Sequence, residues 1–344
     1  MLERESKRTM VRIDRGIVFA RTMSVIMIVS CHIFQYYGNF LAWYFNVGVE
    51  IFLIISGTLY GQKTIEKPVE WVKKQWLKLL VPYWIYAVIA ICVYKLQAPE
   101  YITAEGILGL FLTVSRFPGL GHLWYINYIL FLYLLTPYLQ NFYEEYFQKL
   151  SDKKMFLGLV IFTVLLGMLQ YYGNFKYEVN RIVCYYSAYF VSRRYLKNKE
   201  NTKSNLQKIA IITIILSVLL TILRIYIQFF GSITIPKWDT VVLYIHSLMG
   251  FGLFICFYYI GSKIDIANST VINFINKYSY EIYLVHHLYI LGPENINLMK
   301  LVPDMAGTCI LLIIVIVVSA VLFSKVVQIL KSRKSKGNYL VNGR

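Results

Sequence analysis

Arg21 and His32 lie within the first long apolar run of the chain, which extends from Gly16 to Phe34. They are eleven positions apart, and a helix that turns about 100° per residue brings both to nearly the same face, roughly 16 Å apart along its axis. An arginine is a permanent cation, and an imidazole takes up a proton near neutral pH. The spacing therefore predicts one helix face that carries both a cation and a titratable base.

Both side chains also have structural interpretations. An arginine inside a membrane helix can tether a neighbouring helix or extend its long side chain to the membrane surface. A single histidine on an apolar helix commonly only packs and makes a hydrogen bond. Because ionisable residues are costly at membrane depth, they are functional candidates by default.

The composition is that of a membrane protein. Hydrophobic residues make up 58% of the 344 residues and charged residues 15%, and the mean hydropathy is +0.54, whereas about 25% of an average soluble domain is charged. Runs of about 20 apolar residues predict a single all-α domain, residues 1–344, with about ten transmembrane helices. The predicted spans are 17–36, 41–61, 79–97, 122–141, 155–172, 179–196, 207–230, 239–262, 271–291 and 305–330.

The distribution of basic residues predicts the orientation. With the N-terminus in the cytoplasm, 26 of the 35 Lys and Arg residues fall on the inner side and six on the outer side, as the positive-inside rule requires. Both termini are then cytoplasmic, with a basic leader at 1–15 and a basic tail at 331–344. The net charge of +17 thus indicates contact with membrane lipid rather than with nucleic acid.

Two further features limit the function. The five cysteines fall in predicted spans without a CxxC pair, so neither a disulfide nor a metal site is expected. The stretch 105–115 is too short to cross a bilayer and is predicted to be re-entrant or interfacial. No loop has room for a soluble catalytic domain, so the membrane part must carry the activity.

Glu50 is the acidic candidate. It is expected about 15 Å below the outer end of the second predicted span, close to the middle of the bilayer. A carboxylate there must be paired, protonated or facing a cavity. Ser56 and Gly57 follow on the same span, and their small size favours close helix packing over a chemical role.

Three lysines, Lys73, Lys74 and Lys78, precede the third predicted span. Their spacing places two or three positively charged side chains along the cytoplasmic end of this helix. They can anchor the protein at the membrane surface. They can equally bind a phosphorylated donor from the cytosol.

Three histidines, His32, His122 and His286, are predicted to converge on the outer half of the bundle. His122 opens the fourth predicted span, followed by Asn127, and His286 lies near the end of the ninth. In the predicted topology these histidines share a leaflet with His32. Because neighbours on a helix diverge by about 100°, one of His286 and His287 is expected to point away from the functional face.

Five motifs in this order resemble those of the membrane acyltransferase-3 family, across nearly the whole chain. They are Arg21-x10-His32, Gly-Val-Glu50-x-Phe-x-x-x-Ser56-Gly, the basic segment before Pro82-Tyr-Trp, His122-Leu-Trp124 and Ser279-Tyr-x-Ile-Tyr-Leu-x-His286. The resemblance implies a ten-helix protein of the bacterial cytoplasmic membrane that O-acylates, usually O-acetylates, an extracytoplasmic or lipid-linked glycan. Capsular polysaccharide, exopolysaccharide and cell-wall polymers are all possible acceptors. The co-substrate is cytosolic acyl-CoA, usually acetyl-CoA, and no permanently bound cofactor or metal is expected.

The resemblance also implies roles for individual residues. Arg21 and His32 correspond to the essential pair of the family's first helix, and Glu50 to the acidic position of its second. A sugar hydroxyl needs a base within hydrogen-bond reach, so His32 is expected to be that base, with Glu50 or His286 orienting its ring. Arg21 and the three lysines are expected to bind acyl-CoA. The acceptor-side or supporting positions are His122, Trp124, Asn127, His286 and Ser56; Trp124 can equally belong to the interfacial aromatic belt.

Two other classes of protein stay open on the sequence alone. A transporter or flippase for lipid-linked oligosaccharides also places ionisable residues on a central pathway, although no inverted repeat is visible. A glycan polymerase generally needs a large outer catalytic loop, and the longest predicted outer segment, 97–121, has about 25 residues.

Overall fold

The computed structural model describes residues 14–113, 117–173, 179–196, 203–231, 238–265, 269–301 and 305–341. Most of the predicted basic leader (1–13), the end of the basic tail (342–344) and positions 114–115 of the short apolar stretch lie outside the described residues. Within the described ranges the secondary structure is helical and contains no β-strand. The all-α class is therefore confirmed.

The helices are numbered α1 to α13 in chain order. Their bounds are α1 Arg15–Tyr36, α2 Leu41–Phe45, α3 Gly48–Gly61, α4 Pro68–Gln97, α5 Ala104–Phe111, α6 Trp124–Phe142, α7 Asp152–Gly173, α8 Asn180–Tyr195, α9 Lys203–Phe230, α10 Trp238–Lys263, α11 Thr270–Lys277, α12 Ser279–Leu291 and α13 Met305–Val341. A 3₁₀ turn, Gly121–Leu123, leads into α6, and a π-helical turn, Tyr143–Phe147, follows it.

Helix α1 is the central element of the bundle. Asp14 caps it, because its side chain accepts a hydrogen bond from the backbone N–H of Ile17 at 3.2 Å. The 22 residues of α1 span about 33 Å, enough to cross the hydrocarbon core of a bilayer. It packs against α3, α10, α11 and α12, so a side chain on α1 can meet residues from distant parts of the chain.

Seven helical segments in the described part of the chain are long and apolar enough to cross a membrane. They are Arg15–Tyr36, Leu41–Gly61, Pro68–Gln97, Asp152–Gly173, Leu206–Phe230, Trp238–Lys263 and Ala306–Ser332. The protein is therefore multi-pass, whereas the predicted count of about ten spans is not confirmed. The other three predicted spans correspond to α6, α8 and the pair α11 and α12, which fall short in length or in apolarity.

Helix α8 illustrates why apolarity alone misses such helices. It has 16 residues, most of them buried, and its buried residues include Asn180, Arg181, Ser192 and Arg193. Because other helices rather than lipid surround these side chains, they can be polar if they find partners. The hydropathy of a membrane helix reflects how much of its surface contacts lipid. Because most of α8 is buried against other helices, it has little lipid contact and a low hydropathy.

The second predicted span has the expected bounds, 41–61, but an interruption lies inside it, and the third predicted span begins earlier than expected. The second span is not one continuous helix, because Asn46 and Val47 separate α2 from α3 and Glu50 therefore lies in the first turn of α3. Helix α4 begins at Pro68, eleven residues before the predicted start, so the three lysines lie within the helix and not before it. The apolar stretch at 105–115 contributes to the eight-residue helix α5, which is too short to cross, as expected.

Gly57 and Gly61 pack α3 closely against α8. A Cβ atom at either position would collide with the carbonyl oxygen of Tyr185 or Tyr189. Glycines four residues apart share a helix face and let two backbones approach. The close packing that was expected at this position is therefore found for Gly57.

Candidate active site

Four of the five histidines meet in one place, which we call the histidine cluster: His32, His122, His286 and His287. The His32 ring centroid lies 4.3 Å from that of His287 and 5.2 Å from that of His286. The His122 ring stacks on His287 at 4.5 Å and lies 5.0 Å from His286. The predicted convergence of His32, His122 and His286 is therefore found.

The expectation that one of His286 and His287 would point away was wrong. The two rings diverge along α12, but His32 on α1 and His122 before α6 lie 6.4 Å apart and contact both of them. Two side chains that point in different directions from one helix can thus belong to the same site when residues of other helices contact both. His287 is therefore a site residue that spacing along one helix did not reveal.

Gly119 explains how His122 reaches the cluster. Its φ is +72°, and a Cβ atom there would lie 2.5 Å from the Cα atom of Gly292. Only glycine allows the loop before α6 to lie this close to the end of α12. The Tyr283 hydroxyl then donates a hydrogen bond to the carbonyl oxygen of His122.

Gln35, and not Glu50 or His286, contacts the polar edge of the His32 ring. Its side-chain oxygen Oε1 lies 2.9 Å from Nδ1 of His32. Because an amide oxygen only accepts, Nδ1 carries the hydrogen and Nε2 keeps its lone pair. The neutral tautomer that can act as a base at Nε2 is therefore the one that this contact favours.

Several ring nitrogens of the cluster are buried without a hydrogen-bond partner among the described residues. They are both nitrogens of His122, Nε2 of His286 and Nδ1 of His287. Buried polar atoms are normally satisfied, so orphaned ones indicate a site for a polar ligand.

Arg21 lies on the same continuous helix as His32, as predicted. Its guanidinium donates to Oδ1 of Asn276 at 3.3 Å. The hydroxyls of Tyr60, Tyr125 and Tyr133 lie within electrostatic range of it. Arg21 is thus surrounded by polar neutral groups, an environment that leaves its charge available to an anion.

These tyrosines and Tyr283 form two ring pairs, Tyr60 with Tyr133 and Tyr125 with Tyr283, and Tyr133 lies within electrostatic range of Tyr125; we call the four residues the tyrosine column. The rings of Tyr60 and Tyr133 lie 5.1 Å apart, and those of Tyr125 and Tyr283 lie 5.6 Å apart. The column ends at the histidine cluster, where the Tyr283 ring lies 5.1 Å from that of His122.

Lys78 lies at the other end of the column. Its Nζ donates to Oε1 of Gln75 at 3.3 Å, and the hydroxyl of Tyr60 donates to the same oxygen at 3.0 Å. Lys74 lies about 40° away around α4, whereas Lys73 lies about 140° away and faces outward. The structure therefore separates Lys73 from the other two lysines. We call the end of the bundle that carries them, where α1 begins, the basic end.

Glu50 is engaged in a buried triad with Arg181 and His246. Its Oε1 lies 2.9 Å from Nε of Arg181 and 3.1 Å from Nδ1 of His246, and all three side chains are at most 5% exposed. Nε2 of His246 lies 2.9 Å from the carbonyl oxygen of Trp43. Both ring nitrogens of His246 therefore lie within hydrogen-bond distance of an oxygen acceptor.

The triad corrects the expected role of Glu50. The carboxylate ties α3 to α8 and α10 and does not orient His32. Charge counting places Arg181 on the outer side of the membrane, and no motif points to His246. One sequence argument could have found these two residues. A carboxylate inside a membrane span must be paired, so basic residues in other spans are candidate partners of Glu50.

The other predicted positions surround these groups. The guanidinium carbon of Arg181 lies 4.5 Å from the ring centroid of Trp124, which gives Trp124 a cation–π contact inside the bundle. Asn127 is exposed on α6, and Ser56 is half-buried beside Gly57. The structure does not bring these two into the histidine cluster by any contact among the described residues.

The fold and site define a multi-pass helical membrane protein with a base and a cation on one face of its first helix. A family profile described as an acyltransferase domain, of the acyltransferase-3 type, matches residues 14–324. The chain therefore belongs to the membrane acyltransferase-3 family. No curated protein and no solved structure matches it significantly. Family membership identifies acyl transfer as the reaction and argues against the transporter and polymerase alternatives.

Proposed function

We propose that this acyltransferase moves an acyl group, most simply acetyl, from cytosolic acyl-CoA to a hydroxyl of an extracytoplasmic or lipid-linked glycan. The observation that carries this proposal is the tyrosine column, which joins Lys78 at the basic end to the histidine cluster near the other end. A donor that enters at one end and an acceptor that arrives at the other would meet within the bundle. Coenzyme A itself would not need to cross.

The proposed orientation has the basic end in the cytoplasm of a bacterium, in its cytoplasmic membrane. Positive charge flanking the spans on one side supports this orientation, because basic flanks are retained on the inner side. Acetyl-CoA is then available at the basic end, and glycans are available at the histidine cluster.

The proposed reaction at His32 is a direct transfer. Nε2 takes the proton of the sugar hydroxyl while the hydroxyl oxygen attacks the thioester carbonyl carbon. The tetrahedral intermediate collapses, the carbon–sulfur bond breaks, and the imidazolium returns its proton to the leaving thiolate. The products are the O-acyl ester and free CoA thiol. Gln35 holds the ring in the tautomer that starts this sequence.

Arg21, Lys74 and Lys78 are the proposed donor-binding residues. All three are cations that lie beside the tyrosine column or at the basic end. The phosphates and carbonyls of CoA accept hydrogen bonds from guanidinium and ammonium groups. At the acceptor side we assign His122, His286 and His287 to the glycan, because their orphaned nitrogens can bind hydroxyls. Trp124 and Asn127 are proposed to contact the same glycan nearer the membrane surface.

The first test compares the surface glycan of cells with and without the protein. We expect loss of the acyl mass and of alkali-labile ester groups, with chain length and export unchanged. Cells that express the His32→Ala variant are the matched control and should resemble the deletion. If the deletion shortens the glycan or blocks its export while the ester content stays the same, the proposal is wrong.

Lys78→Gln tests the donor site. We expect the KM for acyl-CoA to rise about five- to tenfold with little change in kcat, because one cation near an anionic group contributes on the order of 1 kcal/mol. Lys73→Gln is the matched control, since it removes the same charge from another face of the same helix. Equal KM values in the two variants would contradict the assignment of Lys78.

A further inference from the structure

A groove of about 630 Å³ runs along the outside of the bundle between α4 and α6. Its walls are largely apolar and include Val72, Leu77 and Leu80 from α4 and Leu134 from α6. Leu77 and Leu134 are 44% and 41% exposed, so the groove opens sideways out of the bundle. Helix α4 is one of the candidate membrane spans, so in a bilayer an opening on its outer face would be turned toward lipid.

The groove has one charged side chain, Lys73, which lies in the half of the groove nearer the basic end. Lys73 and Asn141 line it at the basic end, whereas Leu80, Trp84 and Leu134 line the part deeper along α4. Helices α4 and α6 contact each other, and both Lys73 of α4 and Asn141 of α6 line the groove. The groove thus has a cationic head region and an apolar tail region, as a phospholipid has an anionic head and apolar tails.

Lys73 is the charged residue that lines this groove. Among the residues that the structure describes, no carboxylate forms an ion pair with it. Its neighbour Lys74 turns about 100° away, and Lys78 faces the tyrosine column. Lys73 is therefore available to an anion that reaches the protein from the membrane and not through the column.

The floor of the groove separates it from the candidate active site. Trp76 lies in the groove wall, and its indole Nε1 donates to the carbonyl oxygen of Leu130 at 3.0 Å. This hydrogen bond ties α4 to α6 beneath the opening. The residues of α4 that line the groove and those that contact the tyrosine column, Gln75 and Lys78, therefore lie on different faces of α4.

We propose that this groove binds an anionic phospholipid of the leaflet at the basic end, with its phosphate at Lys73 and an acyl chain along Trp76, Leu80 and Trp84. Charge complementarity selects the headgroup, and the apolar walls bind the chain. The bound lipid fills the space between α4 and α6 and stabilises their packing. This site is separate from the donor and acceptor sites, so the proposal does not depend on the identity of the glycan.

The test measures lipid binding to the purified full-length protein in detergent micelles that contain either phosphatidylglycerol or phosphatidylcholine. Native mass spectrometry gives the apparent Kd, and thermal unfolding gives the shift in Tm. We expect phosphatidylglycerol to bind more tightly than phosphatidylcholine and to raise Tm. Lys73→Gln should weaken phosphatidylglycerol binding about fivefold, the effect of one basic residue near an anionic surface.

Three controls make the outcome decisive. Lys74→Gln removes a neighbouring charge from another face and should retain wild-type lipid binding; an equal loss in both variants would show general surface attraction and overturn the proposal. Leu134→Trp keeps Lys73 but fills the groove, and retained lipid preference in this variant would equally overturn it. Glycerol phosphate, which has no acyl chain, should not displace the lipid, whereas displacement would show a simple anion site and overturn the proposal.

The KM for acyl-CoA is measured in the same variants. If it rises in Lys73→Gln as much as in Lys78→Gln, the groove belongs to the donor site and not to a lipid.

Discussion

Replacing His32 with alanine is expected to lower the rate of acyl transfer by about 100- to 10,000-fold, the usual cost of losing a positioned general base. The ring is half-buried, and its side-chain hydrogen bond among the described residues is to the exposed side chain of Gln35. Its removal leaves no buried charge, and although it removes the ring contacts with His286 and His287, the rest of α1 still packs against α12, so the protein should remain folded and inserted. The measurement is acyl transfer to the glycan, normalised to the amount of folded protein.

Binding measurements separate the two residues of α1. His32→Ala should still bind acyl-CoA, because only proton abstraction is lost, whereas Arg21→Ala should bind it poorly. Gln35→Ala keeps the base but loses the contact that favours its tautomer, so its rate should fall less than that of His32→Ala. Near-normal acylation by well-expressed His32→Ala would end the proposal that this histidine is the base.

The second large effect concerns stability. Arg181→Met is expected to destabilise the protein by about 3–5 kcal/mol, because removing one partner of a buried ion pair leaves the other charge uncompensated. Glu50 is fully buried and retains only His246 as a partner in this variant. The measurement is the midpoint of thermal unfolding in detergent, compared with the wild-type protein.

The double variant Glu50→Gln/Arg181→Met distinguishes a structural triad from a catalytic carboxylate. The new amide is neutral and still offers an oxygen to Nδ1 of His246, so most of the lost stability should return. If Glu50 acts only by joining α3, α8 and α10, the folded double variant should also transfer acyl groups. A stable but inactive double variant would show that the carboxylate takes part in the chemistry.

Local features of the candidate site were predictable. The spacing of Arg21 and His32 on one helix depends only on helix geometry, and α1 is continuous over both. The order of the motifs along the chain indicates the family, and the family profile confirms it over residues 14–324. The residues that line the rest of the site were only partly predictable, because they come from helices far apart in the chain.

The errors have a common origin in contacts between helices. Glu50 and Arg181 are 131 positions apart, and no pattern along either helix specifies that they meet. Helical spacing along α12 alone turns His287 away from His286, whereas His32 and His122 approach both from the side. Lys73 and Lys78 are close in sequence, although they lie on different faces of α4.

Hydropathy, helical periodicity and motif order are sufficient to establish an all-helical membrane acyltransferase with a cation and a base on one face of its first helix. All three properties can be followed along the chain one residue after another. Helix packing adds that four histidines share one site, that Glu50 pairs with Arg181 and His246, and that Lys73 faces a groove of its own. The physical reason is that a helix fixes the direction of each side chain about its own axis, whereas the packing of several helices determines which directions face one another.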